Sequence, residues 1–170
     1  MVQSKLTKTD VVKQARILGA EYVGFASIDR WENSQDAVPE LYPQNIWPLA
    51  KTVIVLAVPL ELPGTAVLTS TALGQAQNKV ANELLDEAAY RLAVFINSKG
   101  YPSVNIPQDS SGQDMTDQPT VEVFSHIWAG HYAGVGQISQ HNTLVTGEHG
   151  RQLNVVSVLT SLELENDWLN

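Results

Sequence analysis

The chain contains no cysteine. That excludes disulfides, and any cysteine-ligated zinc or iron–sulfur cluster, within these 170 residues. Long apolar runs are missing too, since no stretch approaches the roughly 20 residues of a helical membrane span. The opening residues, MVQSKLTKTD, lack the apolar core of a secretory signal, so a cytoplasmic protein is expected. Basic residues are few: ten Lys and Arg, scattered from Lys5 to Arg151, leave a net charge of −8. Phosphate recognition rests on clustered cations, so nucleic acid is not an expected partner. The acidity serves solubility or, on a sharper reading, offers a docking face to a basic redox partner. No internal repeat is present. The length suits one domain with a real core, and it leaves the oligomeric state open.

What is present reads as an α/β pattern. Thr7 and Asp10 have capping-box spacing, and Val11, Val12, Ala15 and Leu18 then share a helical face up to Gly19. EYVGFASI reads as a first strand in which Gly24 permits close packing. A long loop from Asp29 to Ala50 follows, broken by Pro39, Pro43 and Pro48. Thr52 to Leu60 is apolar without alternation, as in a central strand buried on both faces, and Pro59 marks its end. After a second loop the clearest helix runs from Gln75 to Lys99, with Val80, Leu84, Leu85, Ala88, Leu92, Phe95 and Ile96 at three- and four-residue steps. YPSVNI suggests a short strand, and PQDSSGQDMTDQP a mobile polar loop. A helix is expected from Thr120 to Tyr132, with Val121, Phe124, Trp128 and Tyr132 as its stripe. RQLNVVSVLT closes the fold as a strand, and SLELENDWLN trails off acidic.

The stretch from His131 to Leu164 holds the candidate chemistry. Its glycine-pinched turn, Gly134-Val-Gly136-Gln-Ile-Ser139, invites comparison with a dinucleotide-binding fingerprint. Context argues against it, because that fingerprint follows a strand and opens a helix, whereas these glycines end one. Two readings stay open: close approach of main chain to a ligand, or a helix cap. The four histidines, His126, His131, His141 and His149, crowd into positions 126–149. His126 and His131 are five apart, which swings them about 140° from one another on a helix and argues against a shared metal. Only Glu122 and Glu148 are near enough to complete a ligand shell. No G-x-S-x-G nucleophile elbow is present. Asp109, Asp114 and Asp117 would serve as proton donors only if their loop folded over a ligand.

AEYVGFA, WPLAKTVIVLAVPL, AYRLAVFINSKGY and above all AGVGQISQHNTLVTGEHGRQLNVVSVLTSLELEND follow one another in a familiar order. Together they resemble the N-terminal, corrinoid-binding domain of the epoxyqueuosine reductase family, relatives of the reductive dehalogenases. The resemblance implies a single nitroreductase-like α/β domain with a mixed sheet flanked by helices. It also implies a bound cobalamin, with FMN as the alternative, and electrons delivered by a ferredoxin-like partner. By the family pattern this chain stops at Asn170, where the ferredoxin module would begin, so no internal electron source is expected. Gly134, Gly136, Ser139, Asn142 and Thr143, with Val58 at the end of the central strand, would line the cofactor pocket. Ser139 replaces a family glycine, and Gln140 replaces a Lys or Arg. The spacing that gives the family its proton-donating Asp lands on Thr120, with Asp117 the nearest acid, so no catalytic residue is assigned. These losses frame the rival reading, a degenerate paralogue that binds a protein partner without redox chemistry.

Overall fold

The computed structural model describes residues 5–36, 39–62, 64, 67–108, 124–147 and 150–167. Helix α1 (Lys8–Ile17) starts on the expected capping box: Thr7 Oγ1 accepts from the Asp10 amide, and the Asp10 carboxylate accepts from the Thr7 amide. It buries Val11 and Ala15, and the chain turns at Gly19 into strand β1 (Tyr22–Ser27). The expected loop from Asp29 to Ala50 holds two single-turn helices, α2 (Asp29–Glu32) and α3 (Pro43–Ile46), and a 3-10 turn at Pro39–Leu41. Strand β2 (Thr52–Pro59) leads to α4 (Thr71–Ser98) and then to β3 (Ser103–Ile106). Helix α5 (His126–Tyr132), the short ribbon β4 (Gln137–Ile138) and β5 (Leu144–Val145), and strand β6 (Leu153–Thr160) complete the order.

The sheet runs β1-β2-β6-β3, and every ladder in it is antiparallel. The α/β layering agrees with expectation, but the mixed sheet does not. A strand–helix–strand crossing does exist, because β2 and β3 both run antiparallel to β6 and are therefore parallel to each other. Strand β6 sits between them, so the crossing never becomes a parallel ladder. Residues of β2 alternate between two cores. Ile54 and Leu56 join Phe25, Val156 and Val158 against Val11 and Ala15 of α1 and Leu85, Ala88, Leu92 and Ile96 of α4. Val53, Val55 and Ala57 join Leu159 against Trp31, Phe124, Ala129, Tyr132 and Leu144 on the other face. Covering both faces is what lets a run without alternation serve as a strand.

Three expectations about boundaries change. Helix α4 begins at Thr71 rather than Gln75, because the Ser70 hydroxyl caps it by accepting from the Leu73 amide. Helix α5 begins at His126 rather than Thr120, capped by Ser125. Phe124 packs into the core ahead of it, and Val121 lies outside the described residues. The acidic tail does not trail off as far as it is described. The Asp167 carboxylate accepts from Lys8 Nζ at 2.5 Å and from the Phe25 amide at 3.0 Å, and the Asp167 amide donates to the Phe25 carbonyl at 2.9 Å. Asn166 Oδ1 accepts from the Ser27 amide, and Arg30 donates to the Asp167 carbonyl. Tail groups thus satisfy the free edge of β1, which would otherwise present unpaired amides and carbonyls.

Gly24 does permit close packing. A Cβ there would collide with the Ala133 carbonyl oxygen and with Val135 Cγ2, at 2.5 Å for the latter. The neighbour is backbone and cannot swing away, so Gly24→Ala should force β1 and the end of α5 apart. The expected loss is about 2–3 kcal/mol of unfolding free energy, measured as a lower urea midpoint at unchanged slope.

Candidate functional site

The candidate residues begin where α5 ends. Ala133 caps the helix and Gly134 follows at φ 70°, with its amide on the His131 carbonyl (3.0 Å) and the Val135 amide on the Gly130 carbonyl (2.9 Å). This pair of bonds is a Schellman motif, which requires a left-handed residue where Gly134 stands. Gly136 answers a different need. A Cβ there would lie 2.5 Å from the Val145 carbonyl oxygen and 3.1 Å from Leu144 Cγ. The two glycines serve a helix cap and a backbone crossing of the chain itself.

Ser139, Asn142 and Thr143 form the tip of the β4–β5 hairpin. The Asn142 amide donates to the Ser139 carbonyl (3.0 Å) and the Ser139 amide to the Thr143 carbonyl (2.8 Å), while Asn142 adopts φ 56°. That is a type I turn closed by a left-handed residue, a position asparagine tolerates better than most. The Ser139 and Thr143 hydroxyls meet at 2.7 Å, and the Ser139 oxygen also accepts from the His141 and Thr143 amides. With those oxygens engaged, the open part of the tip is Gln140, His141 and Asn142, all exposed.

Val58 lies elsewhere. It packs at the border of the α1 and α4 core, on the opposite face of the sheet from α5. There it lines a half-open groove of about 1190 Å³ between the end of α1, the end of β2 and the first half of α4. Ser139, Asn142 and Thr143 share one hairpin, Gly134 and Gly136 lead into it, and Val58 opens on a separate cavity.

On the α5 face the chain assembles an aromatic group that the sequence pattern does not single out. Trp31 meets Tyr132 edge-on at 4.9 Å, and Trp128 stands 5.7 Å from Tyr132 and 6.0 Å from His131. The Tyr132 hydroxyl donates to Ser34 Oγ at 2.6 Å, and burial holds its pKa above the ordinary tyrosine value. Arg30 donates to the Tyr132 carbonyl as well as to the tail. Burial lowers its pKa, opposed by nearby Asp167. Only the Trp128–Tyr132 spacing of one helical turn could have announced this group, because Trp31 arrives from a distant loop.

The described histidines meet separate partners. His126 turns inward, with Nδ1 2.9 Å from Ser157 Oγ and Nε2 3.1 Å from the Pro107 carbonyl, while His131 Nδ1 approaches the Gly136 carbonyl at 3.4 Å. Among the described residues no group of three His, Asp or Glu could hold a metal ion. His149, Glu122, Glu148, Asp109, Asp114 and Asp117 lie outside the described residues.

No family model matches the chain, and no curated protein matches it in sequence. Solved structures do resemble it. Epoxyqueuosine reductase from Streptococcus thermophilus superposes with a TM-score of 0.59 at 19% identity, over 96% of this chain and 48% of that one. A catabolic reductive dehalogenase gives 0.66 at 19%, over 97% of this chain and 22% of that one. A reductive dehalogenase described by its B12-dependent dehalogenation gives 0.63 at 14%, over 98% and 23%. The likeness is one of fold. This chain spans less than half the length of the epoxyqueuosine reductases and less than a quarter of the dehalogenases. No helix among the described residues is long and apolar enough to cross a membrane.

The half-buried ring of His126 carries a pH consequence. Desolvation, opposed more weakly by the Pro107 carbonyl, lowers its pKa to about 4, against 6.5 for a free side chain. Between those values the unfolded chain binds the proton and the folded chain does not. Stability should therefore fall as pH drops from 6.5 toward 4, by at most about 3 kcal/mol from this residue. Denaturant melts across that range should show the slope, His126→Gln should flatten it, and the His126 imidazole NMR signal should titrate below pH 5.

Proposed function

We propose that this chain is a cofactor-holding domain of a reductive enzyme, of the corrinoid type. The observation that carries the reading is the overlap of nearly the whole chain with the fold of epoxyqueuosine reductases and reductive dehalogenases, one of the latter described as B12-dependent. The local geometry limits where such a cofactor would sit. The spaces beside Gly24 and Gly136 are already filled by Val135, Ala133 and Val145, so the bend does not fit as a slot for a flat macrocycle. On this reading contact falls to the open tip of the hairpin, where Asn142 presents an exposed amide beside Gln140 and His141. Gly134 and Gly136 then act by fixing the hairpin's position rather than by touching the guest.

When bound, a corrinoid would supply the redox centre. No cysteine of this chain can ligate an iron–sulfur cluster, so electrons would come from a ferredoxin-like donor outside these residues. Cytoplasmic placement remains part of this proposal. FMN is the alternative cofactor, disfavoured because scattered Lys and Arg offer no cluster for its phosphate.

The second reading, a non-catalytic paralogue that docks a protein partner, is favoured by one specific observation. The glycine spaces that a cofactor would need are occupied by the chain's own packing.

Anaerobic incubation with reduced cobalamin or with FMN, followed by desalting and visible spectroscopy, separates the readings. Stoichiometric retention of cobalamin, weakened by Asn142→Ala and unchanged by Val58→Ala, is the expected result. Weakening by Val58→Ala alone would move the cofactor to the opposite face. Retention of neither cofactor would leave the paralogue reading standing.

A further inference from the structure

The half-open groove on the α1 and α4 face is lined by α4 from Thr71 to Arg91, about 30 Å of helix. One side of this length is held by the rest of the chain. Asn78 Oδ1 accepts from Asn154 Nδ2 at 2.7 Å, the Asp86 carboxylate accepts from the Gln108 amide at 3.0 Å, and Leu85 and Ala88 are buried in the core. A different row of α4 faces the groove. Leu73, Gln77, Val80, Leu84, Glu87 and Arg91 follow at alternating steps of four and three, centred about 120° round the helix from Leu85. All six are exposed. That alternation is the heptad spacing with which one helix receives another. Leu73, Val80 and Leu84 make the first part of the row apolar, at 47%, 54% and 60% exposure. Ile17 at the end of α1 and Leu68 ahead of α4, also exposed, line the same groove. The wall is thus fixed from behind, and what it shows to water is apolar.

The charged groups of the groove are three acids and one base. Arg91 is already engaged, with Nε and Nη2 at 2.8 and 2.7 Å from Glu87 Oε1. Glu21 and Glu61 are left. One precedes β1 and the other follows β2, at the sheet end where Tyr22 pairs with Ala57, and both are exposed. Among the described residues neither carboxylate has an ion-pair partner.

We propose that the groove receives a basic amphipathic helix of another protein. Its apolar row would lie along Leu73, Val80 and Leu84, and its Lys or Arg residues would meet Glu21 and Glu61. The heptad row selects a helix, and the two unpaired acids select one with a cationic flank. An anionic membrane surface would meet the same two acids on a chain of net charge −8. A small apolar molecule would be left largely in water by the open walls. The groove and the hairpin lie on opposite faces of the sheet, so this docking does not depend on whether a cofactor is held.

Fluorescence anisotropy of a labelled three-heptad peptide, with Leu at its a and d positions and Lys at e and g, tests this on the intact chain. Repulsion among its lysines keeps such a peptide from pairing with itself. The native chain should bind it with a dissociation constant on the order of 10 µM in low salt, and should not bind the version with Glu in place of Lys. Leu84→Asn should weaken binding about tenfold. Val94→Asn, the same kind of change on an exposed residue of α4 outside the groove, should leave it unchanged. Glu21→Gln combined with Glu61→Gln should weaken it about tenfold in low salt and flatten its salt dependence. Each variant should keep the native circular dichroism spectrum, since these side chains are exposed. No binding, equal binding of both peptides, or binding indifferent to Leu84→Asn or to loss of the two acids overturns the proposal. So does Leu84-dependent self-association in sedimentation, or Leu84-dependent pelleting with phosphatidylglycerol vesicles, in place of peptide binding.

Discussion

The fold depends on the ladder between β2 and β6. Eight residue pairs run from Thr52 opposite Thr160 to Pro59 opposite Leu153, and nearly every side chain along them is buried. A two-strand centre with no wet face has to be covered twice. Helices α1 and α4 do this on one side, and α5 with the folded loop from Asp29 to Ala50 does it on the other. The last long strand of the chain enters between two that were laid down before it, so the centre is complete only when residues near 155 have met residues near 55. Loop closure over such distances is slow to reward, which ties assembly of both layers to one late pairing.

How much of this was legible follows from the range of each interaction. Local signals were readable: the Thr7–Asp10 box, the unalternating run of β2, the tight packing at Gly24 and the buried stripe of α4 from Leu85 onward, although Val80 and Leu84, expected on the same face, are exposed. The glycines past Tyr132 were recognisable as constrained positions. Their neighbours were not, because Val145 approaches Gly136 only after the hairpin has formed. Strand order was illegible for a related reason: the pattern of β6 says that it is buried, not that it lies between β2 and β3. The tail misled because Asn166 and Asp167 look like solubilising residues, yet their side chains stand in for the missing strand beside β1. The resemblance grouped Val58 with the hairpin, although alternation along β2 sends it to the other face.

The two faces have consequently taken on different characters. One is polar at its tip and aromatic at its base, built from a hairpin whose hydrogen bonds are largely satisfied internally. The other is an apolar groove walled by a helix that outruns its own core. Gly134, Gly136, Ser139, Asn142 and Thr143 lie on or beside the first, and Val58 borders the second.

The tryptophans are distributed unevenly between these faces. Trp31, Trp47 and Trp128 all pack into the α5 layer, and none of the described tryptophans touches the α1 and α4 layer. Trp31 is almost fully shielded and sits against the Tyr132 ring. Emission from these three described tryptophans is therefore a one-sided optical gauge: it will register disturbance around the hairpin and stay nearly blind to events along α4.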